Sequence, residues 1–338
     1  MAELFFPFPV HAEIGCEEYD RKAGDWLSRH SDLPPARLEA VVRSRAAALV
    51  AFTVSPTRPE LVELASAWTA AYLLVDDVLE SAPIEEAAVM AACGQRIWDD
   101  PSSPAPSTAI TAMVRQIARE TLALATPAQR QRLRVAHQRY FAAAVTERLL
   151  DAAERPPSAE VHTGVREQAS GLAAMSAVVE FAMGMDIPEH EYHSAPVRSF
   201  FQAAHLAIAW INDIGAFAKD AKEGHHNVVA VLAARSGLNS LEATNEAVAL
   251  LGSVHYALSE LSRLLLREGS PPLRAYVESM VRHLGAFTPW LLHSPRYSGM
   301  LADEPFTTTG NAPDGVEAVP DIAAIAWWWN HLPARTVA

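Results

Sequence analysis

Two adjacent acids close an apolar stretch at Leu74-Val75-Asp76-Asp77-Val78-Leu79-Glu80. On a helix, residues i and i+4 share a face, so Asp76 and Glu80 point the same way with Asp77 beside them. Hard divalent cations want such oxygen ligands, and Mg2+ is held by one or two carboxylates plus substrate phosphates and water. The plain alternative is a solvated helix end, although acids there oppose the helix dipole. Asp99-Asp100 is a second acidic pair and reads as surface.

A second polar stripe lies in 211–227, Ile-Asn-Asp-Ile-Gly-Ala-Phe-Ala-Lys-Asp-Ala-Lys-Glu-Gly-His-His-Asn. Asn212, Ala216 and Asp220 recur every four residues, and Lys219 falls near the same line. Ile208, His205 and Phe201 continue it toward the N-terminus. Such a face carries oxygens and a cation at one end and apolar or aromatic groups below. It suits a molecule with an anionic head and an apolar tail, whereas an ordinary amphipathic helix is the alternative.

Most of the chain must be helical to hold these stripes. Ala, Leu, Glu, Arg and Gln dominate long segments with apolar residues at three-to-four spacing. Helices are predicted near 37–52, 59–80, 84–98, 107–124, 127–152, 159–184, 197–223, 240–267 and 271–292. No strand-alternating stretch, phosphate-binding glycine loop or internal repeat stands out. The expected fold class is all-α, a single helical bundle around a central cavity or core, spanning residues 1–302. Residues 303–338 read as a flexible linker (303–320) and a tail, in which Trp327, Trp328 and Trp329 are expected to pack back on the domain.

The chain has 338 residues, enough for a large core, and is 50% hydrophobic, as a globular protein is. A formal charge of −13 argues against a nucleic-acid partner, which needs a basic face. Only Cys16 and Cys93 are present, so a disulfide framework is not expected and a cytoplasmic location fits. Phe5-Phe6-Pro7-Phe8-Pro9 lacks the basic start and apolar run of a signal peptide. The apolar stretch 171–185 is interrupted by Glu180 and short for a span, so no stable membrane insertion is expected. His190-x-x-His193 has zinc-like spacing but lies in a polar connection without a Cys partner, and reads as surface.

Asn-Asp-x-x-Ser-x-x-Lys-Glu, followed by Gly and a downstream Asn, is the second metal motif of class I terpene synthases, and the stripe from Asn212 to Asn227 resembles it. Asp76-Asp77-x-x-Glu80 is similar to that family's aspartate-rich element. Arg166 lies 46 residues before Asn212, the offset of the family's diphosphate-sensing arginine, and Ser170-Gly171 resembles the small-residue helix break just after it. Arg296-Tyr297 resembles the late Arg-Tyr pair, with Trp290 six residues earlier. Together these elements cover roughly residues 5–300, in the family's order.

The resemblance implies a bacterial-type terpene cyclase, a lyase that ionises a linear prenyl diphosphate and cyclises it. Farnesyl diphosphate is slightly favoured over geranylgeranyl diphosphate. It implies three Mg2+, with Asp76, Asn212 and Asp220 as ligands and Asp77 and Glu80 contributing directly or from behind. Arg166, Lys219, Arg296 and Tyr297 would bind diphosphate. Arg166, Asp76 and Trp290 would carry catalysis, and Tyr72, Phe201, Trp290, Ser170 and Gly171 would line the pocket. Two positions depart from the pattern: Ala216 stands where the family has a serine or threonine ligand, and Asp220 where it has glutamate. A water is expected to fill the space at Ala216, with weaker Mg2+ binding as the consequence. The rivals are a chain-elongating prenyltransferase, which uses two Asp-Asp-x-x-Asp elements, and a catalytically degenerate terpenoid-binding protein. A homodimer is compatible with the sequence, which does not set the oligomeric state.

Overall fold

The computed structural model describes residues 2–54, 58–297 and 306–333. The chain begins with strand β1 (Ala2–Phe5), then α1 (Glu17–His30), α2 (Pro35–Arg43), α3 (Ala46–Thr53), α4 (Pro59–Ser81), α5 (Ile84–Asp99), α6 (Ala109–Leu124) and α7 (Pro127–Asp151). There follow α8 (Ala159–Ala169), α9 (Leu172–Met183), the short α10 (Glu189–Tyr192), α11 (Ala195–Glu223), α12 (Val228–Ser236), α13 (Ser240–Glu268) and α14 (Pro271–His293). Strand β2 (Phe306–Thr309), the short helical turn α15 (Ala323–Ala326) and a 3-10 turn at Trp327–His331 follow. Among the described residues the fold is all-α apart from one strand pair.

Local chemistry sets the helix starts. Thr108 and Thr126 accept the backbone N–H three residues on and receive a side chain back from Thr111 and Gln129. Asn239 and Glu242 do the same for α13. The predicted helix 37–52 is two helices, because Arg45 adopts φ 64 and breaks it. Arg45 is held there by hydrogen bonding to Gly15 O at 2.7 Å and pairing with Asp20 at 3.0 Å. The predicted helix 159–184 is likewise divided, at Ser170-Gly171. Gly171 has φ 73, a backbone state that side chains resist. The sequence reading missed α1, although it is amphipathic over fourteen residues, and the nine-residue α12.

The segment 303–320, expected as a flexible linker, contains β2, which pairs in parallel with β1 in the register Ala2 to Phe306 through Phe5 to Thr309. The partners lie some three hundred residues apart, so no local window shows the pairing. The boundary expected at residue 302 lies outside the described residues. Trp328 is buried and donates to Gln202 at 3.2 Å. Glu160 on α8 accepts the backbone N–H groups of Ala323 and Ala324, which docks the tail on that helix. Among the described residues no helix is long and apolar enough to cross a membrane.

Glu180, the interruption in the apolar run, is buried inside the bundle. It pairs with the buried Arg132 of α7 and accepts the Ile187 N–H at 2.9 Å. Arg132 also reaches Ile187 O and Glu189, each at 2.8 Å, and lies 3.8 Å from the Tyr192 ring centre. Removing one partner of such a pair strands a buried charge. Glu180→Ala should therefore destabilise the fold by about 3–5 kcal/mol, read as a fall in the urea midpoint.

Candidate active site

A cavity of about 430 Å3 opens between α4, α7, α8, α9, α11 and α14. Its mouth is polar. Asp76, Asp77 and Glu80 reach it from the end of α4, and Asn212, Ala216, Lys219 and Asp220 from α11. Arg166, Ser170 and Gly171 enter from the α8–α9 break, and Arg296 and Tyr297 from the turn after α14. Its body is apolar, with Tyr72, Met175, Ile208, Phe287 and Trp290 in the wall. Trp290 is fixed by donating its indole N–H to Ser44 O at 2.6 Å and by packing edge-on to Tyr297. Tyr72 accepts from Trp98 at 2.6 Å and stacks on Trp68.

Phe201, expected in the pocket, is not in the cavity wall. It shares a helix face with Ile208, but the cavity closes before reaching it. At that depth Phe201 packs against Tyr192, His205 and Tyr276 instead.

The ionisable side chains at the mouth are cross-braced. Arg166 pairs with Asp213 through Nε at 2.9 Å and a terminal nitrogen at 2.7 Å, with Glu147 at 3.3 Å and with Asn212 at 3.4 Å. Its guanidinium is held charged well above the ordinary arginine range. Burial works against that charge, but Asp213 and Glu147 outweigh it. Arg296 pairs with Asp77 at 2.5 Å. Lys219 pairs with Glu223 at 3.3 Å, which takes Glu223 as a salt-bridge partner. The Tyr140 hydroxyl donates to Asp76 at 3.1 Å, and Asn227 donates to Asp220 at 2.9 Å.

The sequence reading passed over Tyr140, Glu147, Asp151 and Asp213. Glu147 and Asp151 stand four apart on α7, a spacing that was available to find. His225, just beyond the end of α11, lines the cavity and bonds Asp151 at 2.8 Å.

Burial, then the neighbouring Glu80 carboxylate, pushes Asp76 up from the usual carboxylate range. Burial pushes Asp220 up to about 6 and Glu147 up to about 7. Burial is the first cause at each, and the neighbouring Arg296, Arg166 and Lys219 offset it only in part. Among the described residues no three His, Cys, Asp or Glu side chains converge to hold a metal by themselves. Oxygen donors on two facing helices without a complete shell of their own fit Mg2+, which completes its shell with substrate phosphates and water.

A family model described as terpene synthase family 2, C-terminal metal binding, matches residues 67–254. The chain is 23% identical to a (+)-(1(10)E,4E,6S,7R)-germacradien-6-ol synthase of Streptomyces pratensis, over 98% of this chain and 96% of that one. It is 24% identical to a 4-epi-cubebol synthase of Streptosporangium roseum described as cyclising (2E,6E)-farnesyl diphosphate, over 86% and 90%. The fold is similar to that of the SVS_A2 protein from ancestral sequence reconstruction, with TM-score 0.80, 20% identity and coverage of 98% and 99%. It is also similar to 2-methylisoborneol synthase of Streptomyces coelicolor A3(2), solved with Mg2+ and 2-fluoroneryl diphosphate, with TM-score 0.77, 16% identity and coverage of 90% and 98%.

Proposed function

Since the chain belongs to terpene synthase family 2 and is a class I terpene cyclase, we propose that it ionises and cyclises farnesyl diphosphate with Mg2+ and releases diphosphate. The observation that carries this reading is the division of one cavity into an ionic mouth and an apolar, aromatic body. The preference for a C15 substrate is supported by the printed activity of the 4-epi-cubebol synthase relative.

Asp76, Asn212 and Asp220 would hold the metal, with Asp77 and Glu80 beside them and three ions as the expected number. Bound Mg2+ supplies Lewis-acid neutralisation of the charge that develops on leaving diphosphate. Arg166, Lys219 and Arg296 bind phosphate oxygens, and the Tyr297 hydroxyl donates to the same group. Arginine suits the task because its planar fork makes paired bonds to phosphate. The apolar wall excludes water from the carbocation that remains. Trp290 and Tyr72 offer ring faces, which stabilise a cation electrostatically without trapping it.

The test is incubation of the protein with C10, C15, C20 and C25 prenyl diphosphates, with Mg2+ or with EDTA. Hexane extracts are then analysed by gas chromatography–mass spectrometry. A cyclic product from the C15 substrate, absent with EDTA, is the expected result. Product from another length alone would overturn the substrate assignment.

Ala216 is buried in the cavity wall where the family pattern has a hydroxyl ligand. Ala216→Ser restores that oxygen and should lower the half-saturating Mg2+ concentration by about tenfold. An unchanged Mg2+ titration would show that the missing hydroxyl does not limit binding.

A further inference from the structure

Beneath the cavity, three polar side chains from three helices form one buried line. The carboxylate of Glu167 (α8) accepts from His205 Nδ1 (α11) at 2.7 Å, and His205 Nε2 meets the Ser176 hydroxyl (α9) at 2.7 Å. All three are more than nine-tenths buried. Serine, histidine and a carboxylate in this order resemble a nucleophilic relay, but none of them lines the cavity, so no substrate carbonyl reaches Ser176.

The line instead straddles the break between α8 and α9. Glu167 is next to Arg166 and three residues before Ser170, and Ser176 lies five residues beyond Gly171. Ser170 and Gly171 are small and add little packing of their own at the joint between the two helices. The cavity side of the break carries Ala169, Ser170, Gly171, Leu172 and Met175. A swing of α9 at the break moves the apolar wall, whereas Arg166 is tied separately to Glu147, Asp213 and Asn212 on α7 and α11. His205 reaches both helices from α11, which also carries Asn212 and Asp220. The ring is braced in turn by Phe201, stacked one turn earlier, and the Ser176 backbone oxygen accepts from Tyr276 at 3.3 Å.

We propose that His205 is a positioning residue for cyclisation. Through Glu167 and Ser176 it sets the angle of the α8–α9 break, and so the placement of the ionised chain against the cavity wall. The inference rests on the function proposed above. It predicts a separation of two events. Ionisation depends on the metal ligands and phosphate-binding cations, which His205 does not touch, whereas ring closure depends on the wall that it aligns. A misplacement of about 1 Å costs on the order of a hundredfold in a reaction that needs near-attack geometry.

The experiment compares the unaltered protein with His205→Phe, His205→Gln and Ser176→Ala. It measures the thermal midpoint, KM, diphosphate release, and the ratio of cyclic to acyclic products from the prenyl diphosphate that the unaltered protein consumes. His205→Phe should leave KM within about threefold and lower the cyclic-to-acyclic ratio by about tenfold or more. His205→Gln, which can both donate to Glu167 and pair with Ser176, should restore the ratio to within about threefold. Ser176→Ala removes one link with little change in volume and should shift the ratio in the same direction by about threefold, so it carries the test if His205→Phe does not fold. A lowered thermal midpoint with an unchanged product ratio in either variant would make the line simple core packing and overturn the proposal. No turnover by the unaltered protein would remove the functional reading and this inference with it, a result distinct from normal turnover with insensitive variants.

Discussion

Arg166→Ala is expected to lower the rate of prenyl diphosphate ionisation by about 10²–10³-fold, the usual effect of deleting one preorganised donor to a developing anion. The surroundings of Arg166 support the role proposed for it. It stands charged at the cavity mouth, on the last turn before the α8–α9 break, and contacts Asn212, one of the proposed metal ligands. Its bonds to Asp213 and Glu147 fix its direction before substrate arrives, so little reorganisation is left for the reaction itself. The same bonds complicate the alanine variant. Asp213 is only 1% exposed and would be left without its cation, a loss of about 3–5 kcal/mol in comparable buried pairs. Arg166→Lys separates the two effects. Lysine keeps the charge near Asp213 but cannot make paired bonds to phosphate. It should recover most of the thermal midpoint while single-turnover ionisation stays well below the unaltered rate. A lysine variant that regains full ionisation would show that charge alone suffices and that the fork is not used.

Asp76→Asn should act in opposite directions on stability and activity. Without metal, the Asp76 carboxyl is raised above its unfolded value, first by burial and then by Glu80. The sign follows from linkage. A carboxyl raised in the folded state stabilises the fold below its unfolded value and loses that contribution as pH rises through the folded value. Near neutral pH and above, the ionised form is therefore a cost, which a neutral isostere removes. Asparagine still offers an oxygen to the Tyr140 hydroxyl, so that hydrogen bond survives. The thermal midpoint of the variant in EDTA should rise above that of the unaltered protein at pH 8, and the difference should shrink toward pH 5. Its turnover with Mg2+ should fall by on the order of a hundredfold, because a proposed charged metal ligand has been lost. A variant that is less stable in EDTA at pH 8 would show that Asp76 is already compensated without metal. Sites held under electrostatic strain commonly trade stability for activity in this way.

Much of the site was legible because its parts are local. Asp76 to Glu80 and Asn212 to Asp220 each lie within two or three helical turns, and helical geometry alone places such residues on a common face. The helix break was equally visible, since Ser170-Gly171 interrupts a periodic run. Sequence spacing does not say how far a cavity extends along a face. Phe201 has the correct phase on α11, but Tyr276 and Tyr192 close the space beside it. Nor does spacing reveal which charges neutralise each other. Asp77 carries Arg296 from 219 residues away, and Asp213 carries Arg166 from 47 away.

The sequence by itself determined the helical class and the two carboxylate-bearing faces. Each depends on interactions within a few residues of the chain, where helical periodicity governs, whereas Arg166 and Arg296 were legible only through the family resemblance. Only the tertiary structure decided that β1 pairs with β2, that Glu180 is buried against Arg132, and that Glu167, His205 and Ser176 form one line. Those outcomes depend on where separate helices cross. Crossing is set by the packing of whole faces, and the partners carry no mark in their own local sequence.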